Sequence, residues 1–170
     1  RTMYAARQDL GGGVVLSQIH EIDYLYWLFG KPTSLLASGG KMSDLDIDVE
    51  DTVDILLKYQ PSRQDFSVSL HMDYVQNPPS RYCKIVGTKG ALKLDFVRND
   101  LTISDWNSDS KTYEFPNFER NQMFLDELGH FFECVKNRKQ AVADIEIGIA
   151  GLEIALKIKD SLAIGEVVNL

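Results

Sequence analysis

Between Thr33 and Phe115 the apolar residues recur at every second position or in short runs cut by turn residues, and from Asn117 onward they recur at helical spacing. This change of period constrains the fold more than any single motif, because a side-chain period of two suits a pleated strand and one near 3.6 suits a helix. Thr33 to Lys41 and Val53 to Tyr59 read as the first two strands. After a turn at Pro61-Ser62-Arg63-Gln64, Phe66, Val68, Leu70, Met72 and Tyr74 alternate with Ser67, Ser69, His71 and Asp73. That alternation is a strand with one apolar and one small polar face. His71 and Asp73 share the polar face, where a solvated role is the simpler reading. Asn77-Pro78-Pro79-Ser80 breaks the ladder, since proline has no donor to offer a central strand.

Arg81 to Val86 and Ala91 to Phe96 flank Gly87-Thr88-Lys89-Gly90, a tight antiparallel hairpin. Leu101 to Ser104 and Thr112 to Phe115 are two shorter strands around the polar loop Asn107-Ser108-Asp109-Ser110, and Val167 to Leu170 is a last edge strand. From Asn117 to Lys139, Phe124, Leu128, Phe131, Phe132 and Val135 form the aromatic face of an amphipathic helix, with His130 structural beside it. Ile147 to Ala163 is a second helix, with Ile149, Leu152, Ala155, Leu156 and Ile158 as its expected buried side. The expected fold is α+β: a single domain over residues 1–170, with a largely antiparallel, mixed open sheet, helices packed on one face and the other face available for oligomer contact.

One helix precedes the strands. Gly11-Gly12-Gly13 enters it, Gly30 closes it and Pro32 forbids its continuation. Ile19, Ile22, Leu25 and Phe29 form its core stripe, and His20, Asp23 or Tyr24, and Trp27 lie on a neighbouring stripe. A histidine and a carboxylate one turn apart behind a glycine-rich entry make a candidate site wall, although such a histidine is also commonly a hydrogen-bonded core residue with Asp23 as its partner. A zinc-protease helix needs a second histidine four residues after the first, and position 24 is Tyr. A metal-dependent isomerase or hydrolase built on His20, Glu21 and Asp23 is disfavoured because adjacent helical residues point apart. No metal site is expected.

The run from Gly11 to Gly30, with Ile19-His20-Glu21-Ile22-Asp23 and Trp27-Leu28-Phe29-Gly30, resembles the start of the C-terminal domain of the Gfo/Idh/MocA oxidoreductases. Tyr74, the Pro78-Pro79 break, Arg81, the hairpin and the closing helix pair extend the resemblance along the chain. It implies an NAD(P)-dependent dehydrogenase or reductase acting on a sugar, cyclitol or sugar-derived compound by hydride transfer. NAD or NADP would be bound mainly by an N-terminal Rossmann domain outside this chain. It also implies His20 as the catalytic acid/base, association into a homodimer or homotetramer through the open sheet face, and a more specific likeness, through Asp73-Tyr74 and Arg81, to members of sialic-acid-like or nucleotide-sugar pathways. Ser17, Asp23, Tyr74 and Arg81 are the substrate-contact candidates, Arg81 suiting an anionic substrate. Leu16 stands where the family pattern has an acidic residue four positions before the histidine. That departure supports the alternative of a ligand-binding or assembly domain whose enzyme activity has lapsed.

Gly11 and Gly13 have the first spacing of a dinucleotide fingerprint, but position 16 is Leu and no strand precedes them. The chain opens on Arg1, within what reads as the middle of a segment with Tyr4 and Arg7 as rim groups, so it is expected to be a fragment, inactive alone. A net charge of −7 and scattered basic residues argue against nucleic acid. No apolar run spans a bilayer and no leader is visible, so a cytoplasmic protein is expected. The two cysteines, Cys83 and Cys134, have no metal spacing and read as reduced thiols. The acidic run Ser43 to Asp51 lacks the glycine and glutamate of a calcium loop and reads as a solvated loop or strand edge.

Overall fold

A computed structural model describes residues 3–62, 64–107 and 109–170. Arg1, Arg63 of the expected turn and Ser108 of the expected polar loop lie outside the described residues. The regular elements are α1 (Val14–Ser17), α2 (His20–Phe29), β1 (Ser34–Gly40), β2 (Thr52–Tyr59), β3 (Phe66–Asp73), β4 (Tyr82–Gly87), β5 (Gly90–Asp95), β6 (Asp100–Asp105), β7 (Ser110–Glu114), α3 (Arg120–Asn137), α4 (Ile145–Ile164) and β8 (Val168–Asn169). The α+β class and the antiparallel pairing hold, and the helices of the first sheet lie on one face. The strands divide into two sheets, however, in the orders β3-β2-β1-β8 and β4-β5-β6-β7. The division falls at the Asn77-Pro78-Pro79 break, where the donors needed to continue one ladder are missing. The chain correspondingly forms two compact units, Arg1–Val75 with Val142–Leu170, and Gln76–Ala141.

In the first unit the period-two pattern sets the register. Ala37 pairs with Ile55 and Ile55 with Leu70, and Gly39 pairs with Val53 and Val53 with Met72. The buried side chains of that face meet Ile22 and Leu25 of α2 and Ile154, Ala155 and Ile158 of α4 in one core. The inner side of α4 differs from the expectation. Ile149, Leu152 and Leu156 are about half exposed, and Gly151, Ile154, Ala155, Ile158 and Ser161 are buried. A helix apolar around most of its circumference does not mark its own inner face, and the stripe carrying small residues is the one that can lie close against β1.

Ser161 makes that contact specific. Where the two-residue β8 has ended, its Oγ accepts the N–H of Ala37 at 2.9 Å and donates to the carbonyl of Glu166 at 2.7 Å. Ser161→Ala should therefore cost about 1–3 kcal/mol, the range for unpairing buried polar groups, read as a fall in denaturation midpoint at unchanged slope.

On the outer face, His71 Nδ1 lies 2.7 Å from Asp54 Oδ1 and its Nε2 3.2 Å from Asp73 Oδ2. The hydrogen bond to Asp54 raises the His71 pKa against the opposing effect of burial, and the charges of Asp54 and Asp73 add to it. A raised folded value means that the stabilisation is complete below the ordinary histidine range and is lost as pH rises through the folded value. The melting temperature of His71→Asn should fall below wild type at pH 5–6 and converge with it at higher pH; a constant gap would overturn the assignment.

The second unit is a four-strand meander with α3. Thr88 and Lys89 form the two-residue turn between paired Gly87 and Gly90, and Trp106 Nε1 donates to the Thr88 carbonyl at 2.9 Å. The aromatic face read on α3 is helical as expected, with Phe124, Leu128, Phe131 and Phe132 about half exposed. Cys83 and Cys134 are not joined in a disulfide.

Candidate active site

The expected single helix from the glycines to Gly30 is broken. Ser17 sends both its N–H (3.0 Å) and its Oγ (2.7 Å) to the Gly13 carbonyl, which satisfies that turn locally, and Gln18 leaves helical geometry at φ −110°, ψ 31°. Back-bonding of this kind bends or ends a helix. The consequence is that His20 opens α2 instead of sitting in its middle.

The glycine entry is shaped by its own fold. A Cβ on Gly12 would fall 2.5–2.7 Å from the carbonyl oxygens of Tyr4, Ala5 and Arg7, and Gly13, at φ +106°, would place one 2.2 Å from Glu50 Oε1. The N–H groups of Gly11, Gly12, Gly13 and Val14 donate to the carbonyls of Gln8, Arg7, Ala5 and Glu50 respectively. A phosphate cradle needs free N–H groups. This loop has spent these four on protein, so it does not fit a dinucleotide.

His20 projects outward with its side chain 57% exposed, and its Nε2 lies 3.2 Å from Oε1 of Glu21, whose side chain is only 11% exposed. The carboxylate within ion-pair range is thus the adjacent residue rather than Asp23. Asp23 is exposed, and its Oδ1 would stand 3.8 Å from a Cβ on Gly151 of α4. Trp27, two turns along α2 from His20, is also exposed.

Ser17 and Tyr74 meet hydroxyl to hydroxyl across 57 residues of sequence. Tyr74 follows β3 and is held by its N–H to the Asp51 carbonyl at 2.9 Å. Burial raises its pKa most, the Ser17 hydrogen bond opposes this, and the charges of Glu50 and Tyr4 raise it further. Glu50 in turn is paired with Lys159 of α4 at 3.1 Å. Arg81 belongs to the second unit, where its guanidinium lies 4.5 Å over the Phe96 ring. Among the described residues no group of three or more His, Cys, Asp or Glu side chains is arranged to hold a metal ion, and no helix is long and apolar enough to cross a membrane.

Two groups escaped the sequence reading. Neighbouring helical residues diverge at Cβ, yet the Glu21 carboxylate lies 3.2 Å from the His20 imidazole. Asp51 closed what read as a solvated acidic run but is fully buried.

A family model described as the GFO/IDH/MocA C-terminal domain matches residues 2–93. The chain belongs to the Gfo/Idh/MocA family. Solved structures share the fold of this Gfo/Idh/MocA domain. The aldose-aldose oxidoreductase of Caulobacter crescentus, complexed with glycerol, is 21% identical, with TM-score 0.82 over 99% of this chain and 51% of that one. An oxidoreductase of Agrobacterium radiobacter in complex with NAD+, L-tartaric acid and magnesium is 18% identical, with TM-score 0.78 over 98% and 51%. The WlbA dehydrogenase of Bordetella pertussis, in complex with NADH and UDP-GlcNAcA, is 20% identical, with TM-score 0.75 over 97% and 48%. The chain thus spans about half the length of these structures. Among curated proteins there is no significant match.

Proposed function

We propose that the chain is the C-terminal, substrate-binding half of an NAD(P)-dependent oxidoreductase acting on a sugar, cyclitol or sugar-derived alcohol, with His20 as its general acid/base. The observation that carries the reading is the outward imidazole of His20 at the head of α2, in a domain of this family. The relatives bound to NAD+, to NADH with UDP-GlcNAcA and to glycerol support both the cofactor class and a polyhydroxylated substrate. Since the glycine entry has no N–H groups to spare, the cofactor is assigned to a part of the protein beyond these residues. A nicotinamide, when bound, supplies the hydride acceptor or donor.

The residues of this chain do the rest. His20 takes the hydroxyl proton as the alcohol is oxidised and returns it in the reverse direction, a task suited to imidazole near neutrality. The joined hydroxyls of Ser17 and Tyr74 and the exposed carboxylate of Asp23 bind and orient substrate hydroxyls. Copies of the protein associate through the outer face of the first sheet, where exposed Leu36 and Leu56 lie side by side in register. The 170 residues alone are inactive.

Leu16 favours a second reading. It packs against the hydrophobic core at the position where the family pattern places an acid, as a domain that binds without turning over would allow. Nicotinamide absorbance, followed in the full-length protein with NAD+ or NADP+ and a panel of aldoses, cyclitols and UDP-sugars, separates the two. Turnover of a panel member supports the oxidoreductase, and calorimetric binding without turnover supports the lapsed domain.

A further inference from the structure

We propose that Glu21 is the positioning residue of His20: its nearly buried carboxylate holds the imidazole proton on Nε2 and leaves Nδ1 as the nitrogen that exchanges a proton with substrate. This rests on the reading of His20 as the acid/base. An exposed ion pair between two mobile side chains is worth little. The pair here is asymmetric: the glutamate is 11% exposed, and the imidazole is 57% exposed with Nε2 3.2 Å from Oε1. An ionised carboxylate can only accept, so the ring nitrogen facing it carries the hydrogen. A neutral imidazole has one N–H, and the other nitrogen is then a base.

The same contact serves both directions of proton transfer. In oxidation the substrate O–H bond breaks, its electron pair stays on oxygen, and the proton forms a bond to Nδ1. The positive charge that develops on the ring then lies beside a carboxylate already in place, which costs no reorganisation at that moment. In reduction the Nδ1 proton is returned to the substrate oxygen. Glu21 sits in the first turn of α2 beside buried Ile22 and is itself 8% exposed, so its carboxylate has less freedom than the solvent-facing ring it adjoins.

The decisive measurement is ¹⁵N NMR of the imidazole nitrogens in the full-length protein, above the pH at which the ring titrates, with His20→Ala used to assign the signal. The expected wild-type result is the Nε2–H tautomer, with a smaller Nε2–H excess in Glu21→Gln, whose neutral amide offers the ring a donor and an acceptor in place of an anion. A dominant Nδ1–H form in wild type, which needs no variant to observe, would overturn the proposal, as would an unchanged tautomer in Glu21→Gln. Kinetics with the fastest sugar of the panel adds a second arm. Glu21→Gln should lower kcat roughly 10- to 100-fold with KM within about threefold, Glu21→Asp should recover part of the rate, and Glu21→Gln should cost nothing further in a His20→Ala background. An equal loss in both backgrounds means a structural role and overturns the positioning assignment. Full rate in His20→Ala alone sinks the acid/base reading while leaving the tautomer result to judge Glu21.

Discussion

His20→Ala in the full-length protein is expected to lose about 10²- to 10⁴-fold in kcat, the range for removing a general acid/base, while KM moves far less. The imidazole is more than half exposed and is absent from the hydrophobic core, so its removal opens no cavity and leaves α2 seated on Ile22 and Leu25. Alanine is also the best helix former at that position, so backbone propensity does not suffer. A rate loss therefore reports on chemistry rather than on folding, and an unchanged melting temperature is part of the expected result. Near-normal turnover with a panel sugar would remove His20 from the mechanism and with it the main support for an acid/base on this domain.

The largest effect on stability is expected at Asp51. It is fully buried, and its carboxylate accepts from the Met42 N–H at 2.7 Å, the Ser43 N–H at 3.1 Å and the Ser43 hydroxyl at 2.5 Å. Burial by itself would raise its pKa. The bonds from Ser43, Met42 and Thr52 outweigh that and hold the carboxyl below its ordinary range. Asp51→Ala strips two backbone donors and a hydroxyl of their acceptor, at about 1–3 kcal/mol for each group left unpaired, or roughly 3–5 kcal/mol after partial relaxation. For a chain of this size that is a fall of about 10 °C or more in melting temperature. Asp51→Asn keeps the shape but turns an amide donor toward N–H donors, so it should fail to rescue. The pH dependence has a definite sign. A lowered folded value contributes stability above the unfolded carboxyl pKa and loses it as pH falls through the folded value. The gap between wild type and Asp51→Ala should thus stay constant from neutrality down to about pH 5 and narrow in more acid solution. A gap that widened with acid would contradict the assignment.

Much of this was legible in the residues. The alternation from Phe66 to Met72 gives β3, Gly87-Thr88-Lys89-Gly90 gives the hairpin, and Val168–Asn169 does pair at the edge of β1. The core stripe of the first helix was legible too, since Ile22 and Leu25 are buried as their spacing requires. The break at Gln18 was not, because Ser17 is a tolerable helix residue until its hydroxyl finds Gly13 and Tyr74. At the candidate site the stripe left His20 open between a site wall and a core partner of Asp23, and the fold turns it outward. Its carboxylate neighbour was not legible, because helical geometry assigns Cβ directions and a glutamate has further torsions with which to depart from them.

Read alone, the sequence determined the order of the strands and of the two closing helices, the hairpin turn and the candidate imidazole, because period, glycine and proline act within a few residues of chain. Only the tertiary structure decided which side of α4 is buried, that Asp51 is the acceptor for Met42 and Ser43 inside the fold, that the strands form two sheets, and that Ser17 meets Tyr74. The Ser17–Tyr74 pair shows why: its members are 57 residues apart, and their meeting depends on packing that no local pattern encodes.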